Sequence, residues 1–102
     1  MATLAVKMDI PSAISVHVGE DTLTVELADG RTVSAPVAWY PRLLNASKEE
    51  RADWRLIGKG RGIHWEGIDE DISVEGILAG RSSGESQISL KKWLDSRTKR
   101  KG

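Results

Sequence analysis

The chain contains no cysteine and no phenylalanine, a single tyrosine and three prolines. Without cysteine, disulfide frameworks, thiol catalysis and cysteine-ligated zinc or iron–sulfur sites are excluded. No apolar run approaches the ~20 residues that a membrane span needs. Lys7 and Asp9 stand within Met1 to Ala13, where a signal peptide would need its apolar stretch. The expectation is a soluble, cytoplasmic protein. A net charge is also missing, since fifteen Lys+Arg balance fifteen Asp+Glu over 102 residues. A chain this long is expected to form one domain, burying roughly 65% of its unfolded surface without covalent staples.

The zero balance conceals a polarity. Residues 1–80 hold eight Lys/Arg and thirteen Asp/Glu, whereas residues 81–102 hold seven Lys/Arg and only Glu85 and Asp95. The body is therefore −5 and the tail +5. Segregation of this kind bears on partners and solubility rather than on fold. A basic tail is solvated, contacts phosphates, folds onto an acidic protein, or lies back on its own acidic body.

Alternation is the first structural signal. Ile14, Val16 and Val18 alternate with Ser15 and His17, as do Leu23, Val25 and Leu27 with Thr24 and Glu26, a period of two that predicts strands. A two-residue Asp29-Gly30 turn would mix apolar and polar residues on each face. The three-residue loop Ala28-Asp29-Gly30 pairs Val25 with Val33 and Leu23 with Ala35, keeping one face apolar, and places Gly30 in the left-handed region. Trp39 to Ala46 reads as a helix beginning near Ala38, with Trp39/Leu43 and Tyr40/Leu44 as its stripe and Pro41 in its first turn. Ser47-Lys48-Glu49-Glu50 is a capping box for a short helix through Ala52. Trp54 to Ile57 and Arg61 to Trp65 flank Gly58-Lys59-Gly60 as a second hairpin, and Ser73 caps a short helix ending at Gly80. Arg81 to Ser86 has linker composition. Leu90, Trp93, Leu94 and Arg97 then share one face of a last helix, and Thr98 to Gly102 is expected to be disordered. There is no internal repeat. The fold class is α+β: a three-strand antiparallel meander, short helices, a second hairpin and a C-terminal amphipathic helix, divided into a compact domain over 1–80 and a linker plus basic segment over 81–102.

The succession Leu23-Thr-Val-Glu-Leu-Ala-Asp-Gly-Arg31, then Pro36-Val-Ala-Trp-Tyr-Pro-Arg-Leu43, resembles the small bacterial domains grouped as domain of unknown function 2442. So do Glu50-Arg-Ala-Asp-Trp-Arg55, Gly62-Ile-His-Trp65, and Asp69-Glu-Asp-Ile-Ser73 leading into Leu78-Ala-Gly80. The resemblance covers roughly residues 13–80. It implies a compact α+β domain. It also implies an association with a second small protein, because relatives are often encoded beside one in an arrangement suggestive of toxin–antitoxin pairs. Some relatives carry a helix-turn-helix after the domain; the tail here has length for one helix only.

The chemistry-bearing residues are sparse. His64 stands near Asp69, Glu70 and Asp71, but the other histidine, His17, belongs to the first strand and supplies no second nitrogen at helical spacing. Three consecutive acids in a strand would point to alternating faces, whereas acids before a helix complement its dipole by about 0.3–1 kcal/mol each. No Gly-x-Ser-x-Gly elbow occurs, and Gly58-Lys59-Gly60-Arg61-Gly62 lacks the Gly-Lys-Ser/Thr end of a phosphate loop. No catalytic residue, metal ligand or cofactor site is expected. The aromatics say more: Trp39, Tyr40, Trp54 and Trp65 lie near Arg42, Arg51, Arg55 and Arg61, a composition that suits either a core without Phe or a protein-binding surface.

The resulting expectation is a non-catalytic protein-binding module, an antitoxin-like partner of a small toxin. Its candidate partner-binding residues are Trp39, Tyr40, Arg42, Arg55, Trp93, Leu94, Lys99 and Arg100. The alternative is a nucleic-acid-associated regulator acting through the basic tail, and an uncharacterised enzyme comes third.

Overall fold

A computed structural model describes residues 9–101, with side chains given through Arg97. Strands β1 (Ala13–Val18), β2 (Thr22–Leu27) and β3 (Thr32–Pro36) form an antiparallel meander in that order. Val25 faces Val33 and Leu23 faces Ala35, the register that an apolar face demands. Leu27 N–H donates to the Arg31 carbonyl across Ala28-Asp29-Gly30, and Gly30 has φ 95°, where a Cβ would be strained. The first strand departs from strict alternation. Its register shifts between Ala13 and Ser15, so Ile14 sits in a bulge and is 57% exposed, while Ala13 and Val16 point inward.

The segment after β3 is broken where the sequence reads as one helix. A 3₁₀ turn at Val37–Trp39 is followed by Tyr40 in an extended conformation (φ −127°, ψ 87°), and only then by α1 (Pro41–Leu44). Pro41 disfavours helical geometry at the residue before it, which explains the break. Leu43 is buried and Leu44 is exposed, so the Tyr40/Leu44 stripe does not form. The next helix, α2 (Lys48–Ala52), has its complete capping box: Ser47 Oγ accepts from Glu50 N–H, and Glu50 accepts from Ser47 N–H.

The second sheet has three strands rather than two: β4 (Trp54–Ile57), β5 (Gly62–Trp65) and β6 (Glu70–Ser73). The acidic run enters a strand instead of leading a helix. A 3₁₀ turn at Glu66–Ile68 ends with Asp69 left-handed (φ 52°), which aims Glu70 back along β5. Ser73 then caps α3 (Val74–Leu78), accepting from Gly76 N–H. At the junction of the two sheets Gly60 is buried at φ 84°, and a Cβ there would lie 2.8 Å from Ser12 Cβ and 2.9 Å from the Ala13 carbonyl.

Both sheets contribute to one apolar core, including Leu23, Val25, Leu27, Ile63, Trp65 and Val74. Trp65 is fully buried and satisfies its indole N–H on the Arg51 carbonyl at 3.0 Å. Helix α4 (Gln87–Lys101) follows the linker. Leu90, Trp93, Leu94 and Arg97 are its half-buried residues together with Ser89, which confirms the face read from the sequence. Its backbone is helical to Lys101, where the sequence reading expects a disordered end from Thr98; the side chains of 98–102 lie outside the described residues. Among the described residues no helix is long and apolar enough to cross a membrane.

Candidate functional site

Two of the partner-binding candidates, Arg42 and Trp93, meet on the seam between α4 and the body. Arg42 projects from the first turn of α1, and its guanidinium grips Glu85 at the end of the linker, with Nε 2.9 Å from Oε1 and Nη2 2.8 Å from Oε2. Nη1 donates to the Ile68 carbonyl at 3.0 Å. The two side chains are 16% and 8% exposed, so the pair is shielded enough to matter, unlike an open surface ion pair. Glu85 is held below the usual carboxylate range by this bond, and it also accepts from Ser89 Oγ at 2.7 Å. The linker is tied down once more where Ser83 N–H donates to the Trp39 carbonyl.

Trp93 is the pivot of the seam. It packs partly buried against the core, and the guanidinium carbons of Arg42 and Arg97 lie 5.2 and 4.5 Å from its ring centre. Arg97 completes the clamp one turn on, where Nη1 and Nη2 donate to the two oxygens of Glu50 at 3.0 and 2.8 Å. The basic helix therefore lies on its own acidic body. Next to the seam a shallow groove of about 470 Å³ runs between Arg42, Ile88, Lys92 and Trp93, and Ile88 is 71% exposed at its rim.

The remaining candidates are dispersed. Tyr40 is 3% exposed and faces the interior, so it offers no surface to a macromolecule. Trp39 is half-buried and packs on the core, Leu94 is half-buried on α4, and Arg55 is exposed on β4 within 3.4 Å of Glu66. The side chains of Lys99 and Arg100 lie outside the described residues.

His64 belongs to a cross-strand arrangement. It pairs with Asp71 in the β5–β6 register; its Nδ1 meets Asp71 Oδ1 and its Nε2 meets Glu66 Oε1 at 3.0 Å. The Asp71 bond, and then Glu66, raise its pKa. Among the described residues no group of three His, Asp or Glu is placed to hold a metal ion.

One element of the seam was invisible in the sequence. Glu70 on β6 sits half-buried with its pKa pushed up to about 7, first by burial and then by the charge of Glu85, with Arg42 opposing. Only the fold brings residues 42, 70 and 85 together.

A family model described as "Protein of unknown function (DUF2442)" matches residues 13–83. The crystal structure of a protein of unknown function from Rhodospirillum rubrum is similar, with TM-score 0.67 and 27% identity over 78% of this chain and 99% of that one. The solution structure of an uncharacterized protein from Chromobacterium violaceum shares the fold, with TM-score 0.62 and 23% identity over 79% of this chain and 74% of that one. No curated protein matches the chain.

Proposed function

The chain belongs to the DUF2442 family, and from that premise we propose that it is a non-catalytic protein-binding module, an antitoxin-like partner of a small toxin, which it engages through the surface that α4 builds on the domain. The observation that carries this reading is Ile88. A large apolar side chain stands 71% exposed at the rim of a groove whose other walls, Arg42 and Trp93, are held in place by Glu85 and Arg97. Preformed aromatic and arginine surfaces of this type concentrate binding energy. The excess of basic residues in 81–102 favours an acidic partner surface and speeds its encounter. A non-catalytic role agrees with His64, whose two ring nitrogens are both engaged by neighbouring carboxylates.

Co-expression with any small protein encoded beside this one tests the proposal. The two are expected to co-purify, and Ile88→Asp is expected to weaken the complex by ~2 kcal/mol or more without changing the melting temperature. Retained binding in Ile88→Asp would remove the groove from the interface. A second reading, nucleic-acid binding, rests on the +5 segment. It expects affinity for duplex DNA that falls steeply with salt and ignores Ile88.

A further inference from the structure

Under the loop of residues 82–84 lies a polar cavity of about 210 Å³, with Tyr40, Glu70, Ile72 and Ser73 among its walls. Tyr40 is one of its lining residues, and the Tyr40 hydroxyl is fully buried and makes no hydrogen bond among the described residues. A buried polar atom left unpaired costs about 1–3 kcal/mol, so it calls for an explanation. The Glu70 carboxyl, half-buried on another wall, accepts no hydrogen bond among the described residues either. Its charged neighbours are Asp69 and Asp71 on its own strand and turn, Glu85 from the linker and Arg42 from α1. Arg42 is committed to Glu85 and to backbone carbonyls, and Asp71 to His64. Arg81, at the rim, is 66% exposed and reaches towards Glu75. The cavity thus combines an unpartnered buried hydroxyl, an unpartnered carboxyl and a surplus of negative charge.

We propose that this cavity binds a small primary ammonium compound, whose N–H groups donate to the Glu70 carboxylate and the Tyr40 hydroxyl oxygen. An ammonium supplies N–H donors in a compact charge, which the Glu70 carboxylate and the Tyr40 oxygen can both accept. Water would fill the cavity when it is empty but leaves the Glu70 charge uncompensated. An anion would meet the Glu70 and Asp71 carboxylates that line the cavity. The volume is below the 300 Å³ at which pockets for drug-sized ligands begin, so the ligand has few heavy atoms. Ser73 and Ser83 each use their hydroxyl oxygen to accept a backbone N–H, which leaves O–H donors for a ligand hydroxyl; a short amino alcohol fits best.

Titration of the full chain with ethanolamine, followed by amide chemical shifts, tests the assignment. Saturable shifts are expected at Tyr40, at 70–73 and at 82–84, with affinity rising as pH goes up through about 7 and Glu70 ionises. Ethylene glycol and potassium chloride are expected to produce no such response. Tyr40→Phe removes only the unpaired oxygen and should keep the fold, while weakening ethanolamine about tenfold; Glu70→Gln should do the same or more. A stronger response to Nα-acetyl-lysinamide than to ethanolamine would assign the ammonium to a lysine side chain rather than a free amine. Absence of saturable shifts at millimolar ethanolamine, or binding that survives Glu70→Gln, would overturn the proposal.

Discussion

One carboxylate holds two helices. Glu50 Oε1 accepts both the Ser47 N–H that starts α2 and one Arg97 N–H from α4, and Oε2 takes the other. The Arg97 bond brings its pKa down to about 2. A folded-state value below the unfolded one contributes stability above about pH 4.5 that is lost as pH falls through about 2. Glu70 has the opposite sign: its folded value near 7 favours folding below about 4.5, and that contribution fades as pH rises through 7. Glu50→Gln is accordingly expected to cost about 1.5–3 kcal/mol at neutral pH and to blunt acid unfolding. Glu70→Gln should stabilise the protein by about 1–2 kcal/mol at pH 8 and flatten the neutral limb. Urea titrations across pH measure both. The β2 face offers a third residue-scale check. Val25 is fully buried, whereas Thr24 meets Ser34 on the outer face, so Val25→Asp should destabilise by several kcal/mol and Thr24→Asp by little.

At the scale of elements, the local rules that need few residues were legible. The β2–β3 register followed from which residues must share an apolar face, and the Ser47–Glu50 and Ser73 caps from side-chain chemistry within one turn. Elements decided by distant contacts were not. Residues 70–73 become strand β6 because β5 offers an open edge to pair with, a fact of tertiary structure that overrides the helix-leading look of three acids. Ile14 is turned outward by a bulge, which no pattern of alternation announces. The candidate site was half legible. Arg42 and Trp93 were singled out, but their meeting depends on Glu85 and Glu50, and the Tyr40–Glu70 cavity depends on the break before Pro41 that turns Tyr40 inward. The capping box gives a prediction at this scale. Ser47→Ala should cost about 0.5–2 kcal/mol, because Glu50 N–H loses its acceptor, and should also loosen α4 by fraying the turn that positions the Glu50 carboxylate for Arg97; faster amide exchange in α4 would report that coupling.

Across the whole molecule, a tail cation meets a body anion at Arg97–Glu50, whereas Arg42–Glu85 joins a body cation to a tail anion, so the seam is locally balanced while the opposed net charges of body and tail persist. Deleting residues 86–102 removes Trp93 and Arg97 together and should lower the melting temperature by ~4–8 °C for every 1 kcal/mol lost, as thermal unfolding by circular dichroism would show. Trp93→Ala alone should give a smaller fall in the same direction. The tail is a structural part of this domain.

The linker that carries the tail has a kinetic meaning of its own. Residues 81–86, mostly exposed and rich in serine, hold α4 beside its seat at an effective concentration in the millimolar range, as short flexible tethers do. A seam of one indole and two ion pairs needs that proximity. Cleavage after the exposed Arg81 would leave every contact of the seam intact and yet turn a first-order docking step into a second-order one. The severed helix should then depart on dilution and return when the fragments are concentrated, so that a single nick in the linker converts a folded chain into a two-piece complex whose lifetime is set by Trp93 and its two arginines.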